Sequence, residues 1–288
     1  MTRRIVLFFG VLGLLAPLAA GQLFWVAESD AGRVYLLGSM HAGVKEFYPL
    51  PEVITKAFDE SEALVVEADI REEQQKQYAM QIATLAAYPE GETLQDHVSA
   101  ETLAKLEAQL KENGMQLAMF KNMKPWMLGM LMLAITFQKL GYDGDLGIDM
   151  HFLTLAAEEK KPIIELEGLM YQVNLFNNFN DELQEQFILD ILDNQTEALQ
   201  KLKLMSDAWI AGDAEKLEKF VLEERSDPKL EALYDVLIFK RNVTMANSIE
   251  SYLNEGKQYF VVVGAGHLVG EGSVLDLLQQ RGFKVRKL

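Results

Sequence analysis

Apolar residues run unbroken over short stretches near both ends of the chain, and between those stretches they recur at helical spacing. Residues 23–27 and 33–39 flank Ser29-Asp30-Ala31-Gly32 and predict a β-hairpin. A loop through Pro49 and Pro51 follows, then a short helix over 52–60 and a buried strand over 63–66 that runs out onto Glu67 and Asp69. The carboxyl-terminal end repeats this plan. An apolar strand over 260–263 leads through Gly270 and Gly272 into a helix over 273–280, a break at Arg281-Gly282 and a last strand over 283–286.

The residues in between are mostly helical, interrupted by one apolar strand over 162–166. Ser99 caps an amphipathic run that ends near Gly114. Pro125 opens a second run, apolar all round over 126–135, that stops at Gly141. Asp227-Pro228 opens a third that stops at Gly256. The expected fold class is therefore α/β, with a central, mostly parallel or mixed sheet from the two terminal units and a helical insertion over about 71–255 as its cap. The methionine-rich run 126–135 reads either as the wall of an apolar groove or as the buried helix of that cap, too short to span a membrane.

Two strands end in the same motif, Gly38-Ser39-Met40-His41 and Gly264-Ala265-Gly266-His267. With four histidines and 20 glycines in 288 residues, chance would place Gly three positions before two of the four about 3% of the time. A glycine where a chain leaves a strand supplies either a positive φ or room for close backbone approach. An imidazole three residues on then points to the carboxyl edge of the sheet, where open α/β sheets carry their sites. Right-handed crossovers between parallel strands put both histidines on that edge.

Two imidazoles and the carboxylate of Glu67, with one position left for water, make a donor set for a catalytic divalent metal; Glu67 reads equally as the general base, in which case a carboxylate from Asp149 or Glu165 completes the shell. Zinc, manganese and cobalt all suit such donors. A carboxylate closing the run Leu64-Val65-Val66 is costly to bury without a cation beside it. Asp149, near the Gly- and Asp-rich run 141–147, reads as a base or as a partner behind a ligand. Glu165 and Glu167 end the middle strand, one able to reach the same edge as ligand or base while the other faces solvent. Arg241 reads either as a cation for a substrate carboxylate or oxyanion, or as a structural ion pair. His151 and His97 read as a helix residue and a solvated loop residue.

Residues 1–21 combine Arg3-Arg4, an apolar stretch over 5–18 and Ala19-Ala20-Gly21, the order of a secretory signal peptide, so the folded domain is expected over 22–288 in the periplasm or outside the cell. Membrane attachment is expected only if that segment stays uncleaved. The chain has no cysteine, which excludes disulfides and thiolate zinc sites. A net charge of −16 argues against nucleic acid as a partner and mildly favours cations.

The segments YLLGSMH, ALVVEAD, GIDMHF, IIELE, FKRNVTMANSI and FVVVGAGHLVGEGSVLDLLQQRGFKV resemble the TraB/GumN family, related to the Tiki metalloproteases. The resemblance spans essentially the whole mature chain and is most specific over 260–285. It implies a metal-dependent hydrolase of the peptidase type acting on peptide or other small acyl substrates. Its two Gly-x-x-His motifs and strand glutamate fall on His41, His267 and Glu67 as metal residues, and an arginine in the preceding helix falls on Arg241. No helical His-Glu-x-x-His is present, so such a peptidase is not a zincin. The rival expectation is a non-catalytic binder of a metal, haem or small ligand, as a distant resemblance to ChaN-like haem-binding proteins would allow.

Overall fold

The computed structural model describes residues 22–193, 195–226 and 231–288; the expected signal segment 1–21 and the helix start at Asp227-Pro228 lie outside the described residues. Among the described residues six strands form one mixed sheet: β1 (Phe24–Glu28), β2 (Arg33–Ser39), β3 (Ala63–Val66), β4 (Ile163–Glu165), β5 (Gln258–Gly264) and β6 (Lys284–Lys287), in the order β4-β3-β5-β2-β1-β6. Strands β4, β3, β5 and β2 are parallel, whereas β1 pairs antiparallel with both β2 and β6. The expected α/β class and the mixed sheet are thus both observed.

Central β5 is buried from Tyr259 to Val263, as a parallel strand covered on both faces must be. Edge strand β6 is instead Lys-Val-Arg-Lys and mostly exposed, and its charges guard the open edge. The register places Ser39 opposite Gly264 and Val66 opposite Val262. Three parallel strands therefore stop almost level, and the residues just beyond them meet at one edge.

The helices are α1 (Glu52–Glu60), α2 (Glu72–Leu85), α3 (Ala100–Glu112), α4 (Pro125–Lys139), α5 (Ile148–Glu159), α6 (Leu169–Asn177), α7 (Asp181–Asp193), α8 (Gln195–Ala211), α9 (Ala214–Ser226), α10 (Glu231–Tyr234), α11 (Lys240–Leu253) and α12 (Val274–Gln280). Phe58 of α1 and Phe152 of α5 pack on Phe260 of β5, with ring centroids 5.6 and 4.8 Å away. Trp209 of α8 is fully buried and donates its indole N–H to the Gly38 carbonyl at 2.6 Å. That bond ties the helical layer to the first motif.

Ser99 caps α3 by accepting from the Thr102 amide. The apolar run 126–135 lies in α4, which packs on α7 with Leu128 and Met132 buried. Gly129 is the contact point, since a Cβ there would stand 2.6 Å from the Phe187 ring. The predicted long helix up to Gly256 is divided: a π-helical turn, Asp235–Phe239, separates α10 from α11.

Candidate functional site

Beyond β2, the chain reaches His41 through a loop that interlocks with residues 143–149. Gly43 and Asp143 exchange both backbone hydrogen bonds at 2.9 Å, and the Ile148 amide donates to the Met40 carbonyl at 3.0 Å. Gly43 and Gly147 permit the contact: a Cβ on Gly43 would lie 1.9 Å from the Leu146 carbonyl oxygen, and one on Gly147 would lie 2.2 Å from that of His41. This interlock brings buried Asp149, at the start of α5, behind the imidazole. Its Oδ2 is 2.9 Å from His41 Nδ1, while Ser39 Oγ donates to Oδ1 at 2.8 Å. With Nδ1 bound to the carboxylate, Nε2 is the His41 nitrogen turned away from Asp149. The charge of Asp149 raises the His41 pKa, and because 65% of the side chain is exposed, water screens part of that attraction.

His267 is buried and leans on α11. Asn242 Oδ1 accepts from His267 Nδ1 at 2.6 Å, and the same amide donates to the Gly272 carbonyl at 2.8 Å, which fixes its orientation. The second imidazole is thus also held through Nδ1. Burial pushes its pKa down to about 4, so it is neutral at neutral pH.

Glu67 follows β3 directly and is 5% exposed. Its Oε1 accepts the Gly264 amide at 2.6 Å and lies 3.7 Å from His267 Nε2. Its Oε2 accepts from Arg241 Nη2 at 2.5 Å and from Gln172 Nε2 at 2.9 Å. Burial alone would raise its pKa; His267, His41, Arg241 and the Gly264 amide together bring it down to about 2. At neutral pH the glutamate is therefore ionised beside a neutral His267.

The two motif glycines share a physical role that differs from one of the two expected. Neither Gly38 nor Gly264 has a positive φ; both provide room. A Cβ on Gly38 would stand 3.1 Å from Ala265 Cα. One on Gly264 would stand 3.3 Å from Glu67 Oε1, 3.5 Å from His41 Nε2 and 3.6 Å from the His267 ring. Three donor groups therefore surround one point beside Gly264.

Several sequence-predicted residues are placed differently from expectation. Glu165 is exposed and accepts the Asp69 amide at 2.7 Å, so it takes no part in this cluster. Its neighbour Glu167 does. The amides of Glu167 and Gly168 both donate to the Glu67 carbonyl, turning the chain after β4 and sending the Glu167 side chain inward. Arg241 Nε and Nη2 donate to the two Glu167 oxygens at 2.8 and 2.7 Å, and Nη1 donates to the Leu237 carbonyl. Its guanidinium is engaged by protein carboxylates, the ion-pair reading, and is not free for a substrate oxyanion. His151 packs among Tyr48 and Phe152, away from the cluster. His97 is no solvated residue: it bridges Asp181 and Glu92 and stacks on Tyr88. Sequence reasoning gave no role to Ser39, Gln172 or Asn242. Asn242 could have been found as the polar neighbour of Arg241 on the helix before the second motif; Gln172 carries no signal.

Among the described residues, no group of three or more His, Cys, Asp or Glu side chains is set to hold a metal ion as it stands. The donors nonetheless suit one in chemical kind: two imidazole Nε2 atoms and a carboxylate oxygen around the space beside Gly264, each imidazole backed by an acceptor at Nδ1.

The model of the TraB/PrgY/gumN family matches residues 23–287. The uncharacterised protein YbaP of Escherichia coli strain K12 is 29% identical over 277 residues, covering 95% of this chain and 99% of the relative. Metalloprotease TIKI2 of Danio rerio is 45% identical over 51 residues, which is 17% of this chain and 10% of that protein. A metalloprotease TIKI homolog of Amphimedon queenslandica is 30% identical over 80 residues, 27% of this chain and 13% of that protein. No solved structure matches.

Proposed function

The chain belongs to the TraB/PrgY/gumN family, and on that premise we propose that it is a metal-dependent hydrolase of the peptidase type, its centre built from His41, His267 and Glu67. The observation that carries this reading is the convergence of His41 Nε2, Glu67 Oε1 and the His267 ring on the space beside Gly264. The partial similarity to metalloproteases named TIKI supports the reaction type. A divalent ion held by these residues would polarise an amide or ester carbonyl and make a bound water acidic enough to attack it.

Each surrounding group has a task that follows from its bonds. Asp149 and Asn242 accept the Nδ1 hydrogens, so both imidazoles turn Nε2 toward the site; neutral His267 offers a lone pair there, and His41, whose pKa Asp149 raises, would give up its Nε2 proton when a cation binds. Arg241, Gln172 and the Gly264 amide fix both oxygens of Glu67. A carboxylate that already accepts three N–H bonds is a weakened base, so Glu67 serves as an anionic ligand more readily than as a proton acceptor. Charge supports a cation here as well: buried Glu67 and Glu167 share the single guanidinium of Arg241, leaving one negative charge in excess. The basic, apolar and small-residue order of residues 1–21 supports a place in the periplasm or outside the cell.

Hydrolysis of a peptide library tests the proposal. Activity should vanish on dialysis against a chelator and return with added zinc, manganese or cobalt. Hydrolysis that persists through chelation would refute a metal mechanism, and tight metal or haem retention with no turnover on any peptide or ester would favour the binding-protein reading.

A further inference from the structure

We propose that Glu167 is a positioning residue that keeps Arg241 from neutralising Glu67, so that the end of β3 retains the negative charge that attracts a divalent cation. The inference rests on the metal reading above and adds a residue and a mechanism to it. A guanidinium and a single carboxylate, left to themselves, form a bidentate pair in which both carboxylate oxygens are occupied. Such a pair would draw Glu67 Oε1 away from the two histidines.

Here the fork belongs to Glu167. Arg241 donates Nε to Glu167 Oε1 at 2.8 Å and Nη2 to Oε2 at 2.7 Å, and only Nη2 also reaches Glu67, at Oε2. Gln172 Nε2 bridges Glu67 Oε2 and Glu167 Oε2 at 2.9 and 3.1 Å, locking the two carboxylates in this order. Leu237, in the π-helical turn, accepts Nη1 and anchors the guanidinium from behind. Glu67 Oε1 therefore faces the Gly264 amide and His267, while the arginine's hydrogen bond goes to Oε2. The Glu167 side chain is only 2% exposed and the backbone turn after β4 places it under the site without opening onto it. It acts through Arg241 and Glu67.

Zinc titration calorimetry on the full protein, with thermal unfolding of each variant in parallel, tests this. Glu167→Gln keeps the size and removes the charge. It should weaken zinc binding roughly 10–100-fold, the scale of losses when groups behind metal ligands are removed, with little change in unfolding temperature. Glu167→Asp, which keeps the charge, should bind zinc more tightly than Glu167→Gln. A folded Glu167→Gln protein with wild-type zinc affinity would overturn the inference while leaving the metal reading intact, and a wild type that takes up no zinc, manganese or cobalt would overturn both. If Glu167→Gln does not fold, Gln172→Met puts the same question at the amide that holds the two carboxylates in order: losing that lock should weaken zinc binding, and unchanged affinity in the folded variant overturns the proposal.

Discussion

Glu67→Gln is expected to lower turnover about 10²-fold or more and to weaken metal binding at the same time, while the protein stays folded. The stability half of this result follows from charge. Glu67 and Glu167 are both buried against one guanidinium, so removing the Glu67 charge leaves Arg241 and Glu167 as a balanced bidentate pair. The unfolding temperature should hold or rise. The functional half follows from position, because Glu67 Oε1 stands beside the point that His41 Nε2 and the His267 ring also approach. A group kept at a cost to stability and needed for chemistry behaves in this way. Steady-state kinetics beside metal titration separates the roles: loss of rate with full metal affinity would make Glu67 the base, and full rate would remove it from the mechanism.

Gly264→Ala is the second large effect. The backbone there, at φ −49° and ψ 135°, accommodates alanine without strain. The nearest neighbour of the new methyl would be Glu67 Oε1 at 3.3 Å, a side-chain atom able to give way slightly. Stability should therefore stay within about 1 kcal/mol of wild type. The methyl would occupy the space where the donors converge, and a displacement of that size costs catalysis on the order of 10²-fold. Chemical unfolding and peptide hydrolysis of the same preparation check both halves. An alanine variant with normal turnover would mean that the space beside Gly264 is not where the reaction takes place.

What the sequence reveals and what it hides follow from the range of the interactions involved. Strands and helices near the termini are legible because their apolar runs are local, and Glu52–Glu60 and Ala63–Val66 fall where the pattern puts them. His41, Glu67 and His267 are legible because each lies within three residues of a strand end, and parallel strands that stop level leave such residues together. Asp149 is legible as a candidate, but its place behind His41 depends on Gly43 and Gly147 interlocking two loops distant in sequence. Glu165 and Glu167 do diverge as expected, but not through strand alternation, which puts residues two apart on one face: the backbone turn onto the Glu67 carbonyl after Glu165 separates them and sends Glu167 inward. Gln172 lies on α6 and Asn242 on α11, and only tertiary packing shows that each meets a residue of the centre. The π-helical turn before Arg241 has no periodic signature in a run that reads as continuous helix.

The most direct test of the central claim is the metal content of protein purified without a metal-binding tag, compared with that of the His41→Ala, His267→Ala double variant. The account predicts about one divalent ion per wild-type chain, as a two-histidine, one-carboxylate centre holds, and none in the double variant. A double variant with the wild-type metal content, or a folded wild type that takes up no divalent ion when supplied with zinc, manganese or cobalt, would contradict it.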